Sequence, residues 1–268
     1  MKLKSPYLIS PRTRVKLSDR PTSEDGGFQS KEQAAPVLVK YRDHLNALQD
    51  VLYANQQHAF LIVLQGMDTA GKDGTIRHIF SGVNPQGCDV TSFKVPTPLE
   101  TRHDFLWRAH VAVPPRGMIG IFNRSHYEDV LSPRVHKLIS AKVVRQRLDD
   151  INEFESSLAD NGVLILKFLL HISHEEQTAR LQSRLDDPDK HWKLSAADFE
   201  ERKFWNQYQN AYNDILSATS HKHAPWFVIP ADHKWYRNIA ISSVIVDLMQ
   251  GLKLKFPQPS LDVSKIKL

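Results

Sequence analysis

The segment Gly66-Met-Asp-Thr-Ala-Gly71-Lys72 has the spacing G-x-x-x-x-G-K of a P-loop, or Walker A motif. In such a loop the backbone N–H groups, together with those of the following helix N-terminus, point at phosphate oxygens, and the lysine adds a mobile cation. The expected phosphate and nucleotide contacts are therefore Gly66, Ala70, Gly71, Lys72, Asp73, Gly74 and Thr75. Two residues depart from the usual pattern. Asp73 stands where a Ser or Thr would meet magnesium, and Asp68 lies inside the loop. A carboxylate beside phosphate is repulsive unless a divalent cation lies between them, and magnesium takes oxygen ligands while bridging to phosphate. Asp68 is thus a candidate metal ligand or proton acceptor. Asp73 reads first as a first-turn acid that complements the helix dipole.

A second cluster follows an apolar run: Asn123-Arg124-Ser125-His126-Tyr127-Glu128-Asp129. P-loop enzymes keep a metal-associated aspartate near this place. Here Asn123 occupies it, with Glu128 as the nearby carboxylate, so Asp68, Asn123 and Glu128 are the candidate metal residues. Arg124 has the planar fork of donors that suits phosphate, and with Asp68 and Lys72 it completes the candidate catalytic set. Further on, His171-Ile-Ser-His174-Glu175-Glu176-Gln177 leads into Arg180, Arg184, Lys190 and Lys193. Arg180 and Arg184 share a helix face. Because Asp186, Asp187 and Asp189 are interspersed, two readings stand: a salt-bridged hairpin in water, or a lid that closes over transferring phosphates.

The elements that must carry these residues are legible as alternating patterns. Apolar runs at 60–65, 88–93, 118–122, 163–170 and 226–229 suit buried parallel strands, with helical stretches at 72–81, 100–110, 142–160 and 196–217 between them. Asn161-Gly162 is a helix stop. An earlier helix starts at Ser30 with Gln33 in capping-box position, and Ala34, Leu38, Tyr41, Leu45, Leu48 and Leu52 form its apolar face. Residues 1–29, rich in Pro, Gly and charge, read as an extended arm over the domain. The expected fold is α/β, a parallel sheet of about five strands with helices on both faces and an N-terminal extension. The expected division is 1–58 for arm and packing helix, 59–250 for the P-loop domain including the lid candidate at 174–195, and 251–268 for a tail.

Composition narrows the class. The chain has 268 residues, 41% apolar and 24% charged, enough for a real core. A net charge of +5 points mildly to an anionic partner. The single cysteine, Cys88, excludes an internal disulfide framework and a multi-cysteine zinc site, so a reducing cytoplasm is the expected compartment. The basic N-terminus lacks the apolar core of a signal peptide, and no window approaches the roughly 18 apolar residues needed to span a bilayer, so no membrane partner is expected. Basic patches with interleaved aromatics are few, and no nucleic-acid partner is expected. Trp107 and Trp226 read as core, while Trp192 and Trp235 are open to base stacking or packing. A homo-oligomer is expected, of a size the residues do not specify.

Together LQGMDTAGKDGTI, PTPLETRHDFLWRAH, IFNRSHYEDVL, HISHEEQ with its arginines and KHWKLS, and PWFVIPADHKWYRN resemble the polyphosphate kinase 2 family, in order from about residue 30 to 250. The resemblance implies a P-loop kinase-like fold with a helical lid, and a phosphotransferase that uses inorganic polyphosphate as donor to AMP, ADP or both, with Mg2+ (or Mn2+), ATP being the product of the ADP reaction. It places Asp68, Lys72, Asn123 and Arg124 in the site, and Arg180, Arg184, Lys190 and Lys193 in the lid and polyphosphate path. NRSHYED is similar to the subgroup that acts on both AMP and ADP. Two other readings of the same residues are an ATP-dependent nucleoside or nucleotide kinase and a non-catalytic polyanion-binding P-loop protein.

Overall fold

Five parallel strands form one sheet in the order β2-β3-β1-β4-β5, and a computed structural model describes residues 5–262, 265 and 266 of the chain. The strands are β1 (Ala59–Gly66), β2 (Cys88–Ser92), β3 (Ile119–Asn123), β4 (Val163–His171) and β5 (Trp226–Pro230). All five lie within a residue of the apolar runs. β1 is buried along its whole length because it pairs with β3 on one side and β4 on the other and is covered on both faces. β2 is the edge strand and is mostly exposed, so its run CDVTS is the least apolar of the five.

The crossovers are helical. After α1 (Lys31–Asn55) and β1 comes α2 (Lys72–Ile79), and α3 (Trp107–Ala112) precedes β3. Then follow α4 (Glu128–Val135) and α5 (Ala141–Asp160) before β4, and α6 (His174–Leu185), α7 (Ala196–Arg202) and α8 (Trp205–Thr219) before β5. The chain then enters α9 (Lys234–Gly251). Ser30 caps α1 by accepting from the Gln33 N–H, although Gln33 Oε1 reaches back to the Gln29 N–H instead of closing the box on Ser30. Ser195 and Asp198 do close a reciprocal capping box at α7.

Four expectations change. The stretch 100–110 is not one helix: Asp104 accepts from the Leu106 N–H, a local turn that separates a short 3-10 turn at Glu100–Arg102 from α3. The stretch 196–217 breaks at Lys203-Phe204, whose N–H groups tighten to Glu200 and Glu201 carbonyls while Phe204 turns against the His136 ring. α4 and α9 emerge where no helix was expected. α9 is buried around most of its circumference, from Arg237 to Met249, so it shows little of the apolar–polar period that marks a surface helix.

The N-terminal arm does more than lie over the domain. Ile9 N–H donates to the Trp226 carbonyl and Val228 N–H to the Tyr7 carbonyl, so the arm pairs antiparallel with the open edge of β5 and covers it. Residues 1–4 of that arm, and 263, 264, 267 and 268 of the expected tail, lie outside the described residues. Among the described residues no helix is long and apolar enough to cross a membrane.

Candidate active site

The loop from Gly66 to Lys72 joins β1 to α2 at the carboxyl ends of the strands, where ligands gather in open α/β sheets. Its backbone is tightly constrained. Gly71 has φ +99°, and a Cβ there would stand 2.1 Å from Arg237 Nη1, so a larger residue would be strained and would have to displace that guanidinium. Thr69 is held at φ +66° without a glycine's freedom. Lys72 is buried, and its Nζ donates to the Gly66 carbonyl at 2.9 Å and more weakly to that of Met67 at 3.4 Å. Burial and the nearby Arg124 lower its pKa, although Asp68, Glu128 and Asp73 act in the opposite direction.

Arg124 follows β3 with φ +60°, a left-handed conformation that costs a non-glycine residue on the order of 1 kcal/mol. Its N–H still bonds the Leu64 carbonyl of β1, so the sheet ladder fixes the turn that aims the side chain. The guanidinium then meets Asp68 Oδ1 at 2.7 Å. Burial opposes the charge on Arg124, but Glu128 and Asp68 outweigh it and raise its pKa. Burial raises the pKa of Glu128 despite the pull of Arg124 and Lys72. Two carboxylates, a lysine and an arginine thus share one electrostatic site. Asn123 donates its amide N–H to Asp73 Oδ1 at 2.7 Å, which ties the end of β3 to the first turn of α2. Asp73, in that first turn, is thus the acceptor that braces α2 against β3.

The P-loop separates two cavities. One, of about 500 Å³, is lined by Asp68, Arg124 and Glu128 at its ionic end and by Pro133, Ala197 and Tyr208 elsewhere. The other, of about 710 Å³, meets Thr69, Gly71 and Gly74 from the opposite side and is walled by Arg184, Lys190 and Lys193.

Two expected contacts are placed differently. Arg180 is not an exposed lid cation: all five of its N–H donors end on protein groups, namely Glu176, the carbonyls of Thr69 and Ala70, and those of Ala231 and Asp232. It braces the P-loop from below. Thr75 is fully buried and donates its hydroxyl to the Gly71 carbonyl, so its side chain serves α2 rather than a ligand. Ala70 likewise contributes backbone only, its side chain being buried.

Other site residues carried no signal of function. Tyr208 and Tyr212, four apart on α8, recur at a spacing that packing alone would explain, yet both line the first cavity. Arg108 is buried beside it, donating to Asp129 at 2.7 Å and to the Lys94 carbonyl at 2.8 Å, with its guanidinium over Phe93. Arg237, within the quoted run WYRN, donates to the Ala70 carbonyl at 3.0 Å. Of the tryptophans, Trp226 is fully buried, Trp192 is 78% exposed, Trp107 stacks on His103, and Trp235 lines the second cavity against Phe28.

The family model described as Polyphosphate kinase 2 (PPK2) matches residues 28–257. The chain belongs to the polyphosphate kinase 2 family. It is 48% identical over 261 residues to an AMP/ADP-polyphosphate phosphotransferase of Meiothermus ruber, covering 97% of this chain and 98% of that one. It is 43% identical over 271 residues to an ADP-polyphosphate phosphotransferase of Rhodopseudomonas palustris, covering 96% and 94% respectively. Among solved structures, polyphosphate kinase 2 from Arthrobacter aurescens TC1 superposes with a TM-score of 0.86 at 39% identity, covering 94% of this chain and 95% of that one. The residues matched by the family model include all five strands, the P-loop and α6 to α8, and this polyphosphate kinase 2 chain is a P-loop kinase-like enzyme.

Proposed function

We propose that this chain transfers a phosphoryl group from inorganic polyphosphate to a nucleotide, accepting both AMP and ADP. The observation that carries the reading is the pair of cavities on opposite sides of one P-loop, one walled by lid cations and the other closed by Tyr208 and the Arg124 cluster. A polyanion fits the first kind of wall and a nucleotide, with its flat base and short phosphate tail, fits the second. The transferred group then passes at the loop. Lys72 and Arg124 are the cations set to meet charge on it, and donors fixed in place before reaction are what stabilise such charge. The 48% identical relative named for both AMP and ADP favours the broader acceptor range.

Magnesium, or manganese in its place, fits the donor set. Asp68 and Glu128 line the same cavity, and the Asn123 amide nitrogen is the atom bonded to Asp73, which leaves its oxygen as the end that could serve an ion. One or two carboxylates completed by phosphate oxygens and water is the usual way this ion is held. When bound it would neutralise phosphate charge; the protein's own part is to keep both carboxylates beside Arg124. A single cysteine and nucleotide substrates suit a reducing cytoplasm.

The test is to incubate the protein with magnesium, polyphosphate and AMP or ADP, with no nucleoside triphosphate, and to resolve the nucleotides. Formation of ADP and ATP is expected. Turnover only with a nucleoside triphosphate donor would make it an ATP-dependent nucleotide kinase. Salt-sensitive binding with no turnover on any donor would make it a polyanion-binding protein.

A further inference from the structure

Three successive P-loop carbonyls are held by one helix. From α6, Gln177 Nε2 donates to the Asp68 carbonyl at 3.1 Å, and Arg180 Nη1 donates to those of Thr69 and Ala70, each at 2.9 Å. The two side chains are anchored differently, however. Arg180 is fixed by the body of the domain, through Ala231 and Asp232. Gln177 is fixed by the next lid helix: Arg202, at the end of α7, donates to Gln177 Oε1 at 2.7 Å and holds Thr178 Oγ1 with its other nitrogen.

A primary amide has one accepting and one donating end, so a cation on the oxygen decides which end meets Asp68. Gln177 is 1% exposed, and water has little access to replace a lost partner. Asp68 in turn holds Arg124, and both Asp68 and Arg202 border the smaller cavity. Two hydrogen bonds therefore lead from α7 to the Asp68 backbone, whose own side chain holds Arg124.

We propose that Gln177 and Arg202 are positioning residues for phosphoryl transfer: α7, acting through Arg202 and the Gln177 amide, sets the backbone of Asp68 and with it the Asp68–Arg124 pair. The inference rests on the P-loop being the transfer site, as proposed above. Its consequence is that the placement of the outer lid helix is read directly by the catalytic loop, whereas Arg180 holds the rest of that loop whatever α7 does.

Gln177→Glu isolates the step. It keeps the length and the acceptor for Arg202 but has no donor for the Asp68 carbonyl. We expect kcat to fall about 10- to 100-fold, the loss typical of a slightly misplaced reacting group, with nucleotide KM close to wild type and the fold retained by circular dichroism. Arg202→Met should lower kcat in the same sense, Arg202→Lys should restore most of it, and the double variant Gln177→Glu/Arg202→Met should be no worse than the poorer single one. Amide hydrogen exchange at residues 68–71 should quicken in both single variants, a readout that needs no turnover. Wild-type kcat in Gln177→Glu, losses that multiply in the double variant, or unchanged exchange at 68–71 would overturn the relay. So would an Arg202→Met effect confined to nucleotide KM, which would mark Arg202 as a direct substrate contact. If polyphosphate supports no turnover while exchange at 68–71 responds as expected, the assigned donor falls and the relay stands.

Discussion

Lys167→Met offers a sharp test of how the fold supports the site. Lys167 sits in the middle of β4 within the run VLILKFLL, with no exposed surface. Its ammonium makes three contacts: Glu155 Oε2 at 2.5 Å, the Thr219 carbonyl at 2.7 Å and the Tyr127 hydroxyl at 2.9 Å. Glu155, equally buried, also accepts from the Tyr127 hydroxyl at 2.9 Å and lies 3.3 Å from His126 Nε2. The network thus sits behind the segment that carries Arg124 and Glu128. Methionine keeps the length of lysine but leaves the Glu155 carboxylate buried without its cation. Breaking such a pair costs about 3–5 kcal/mol, a large share of the roughly 5–15 kcal/mol that holds a domain together.

Lys167→Met should therefore lose about 3–5 kcal/mol in urea unfolding at neutral pH. The double variant Lys167→Met/Glu155→Leu should recover much of that, short of the contacts that Tyr127 and His126 forfeit. Acid separates the cause further. Burial alone would raise the pKa of Glu155, but Lys167 and His126 outweigh it and the net direction is down. A carboxyl whose folded pKa is depressed gives stability above its unfolded value of about 4.3 and loses it as pH falls through the folded one. A protonated Glu155 needs no cation, so the gap between wild type and Lys167→Met should narrow as pH falls. A single variant within about 1 kcal/mol of wild type at neutral pH would refute the reasoning, because a buried, uncompensated carboxylate cannot be that cheap.

Other expectations concern the reaction itself. Lys72→Ala should lower turnover about 100-fold or more while circular dichroism shows the fold retained; near-normal turnover would remove Lys72 from the mechanism. Glu128→Asn should reduce the AMP reaction much more than the ADP reaction in steady-state kinetics, since AMP lacks the β-phosphate and its acceptor oxygen starts one phosphate unit away; equal losses would deny Glu128 a selective role. Arg184→Ala and Lys193→Ala should weaken polyphosphate binding, and wild-type binding should itself weaken as salt rises; salt-insensitive binding would return the segment to a solvated hairpin.

Much of the frame was legible because the strands are buried on both faces and so carry nearly continuous apolar runs, and because the P-loop's glycines answer to steric demands that no other residue meets. What stayed hidden follows from the same physics. α9 lacks a visible period because it has almost no polar face. Tyr208 and Tyr212 recur at helical spacing whether the face they share meets a core or a cavity, and here it meets a cavity. Lys167 gives no warning at all, since its partner Glu155 is twelve residues away on the preceding helix α5 and only the fold brings the two charges together.

The lid shows why residue type alone misassigns a cation. Arg180 and Arg184 lie on one helix face at equal helical spacing and look interchangeable in the sequence. Yet Arg180 spends every donor on protein acceptors, four of them backbone carbonyls, whereas Arg184 makes one long contact, to the Lys193 carbonyl at 3.4 Å. Lys190 is paired with Asp187, while Arg184 and Lys193 have no carboxylate partner among the described residues. An arriving polyanion can recruit a cation at little cost only where no acceptor must first be abandoned; taking Arg180 would strand buried carbonyls that the P-loop needs held. The basic segment therefore divides by function along its length, with a brace where α6 meets the loop and available charge one turn further out.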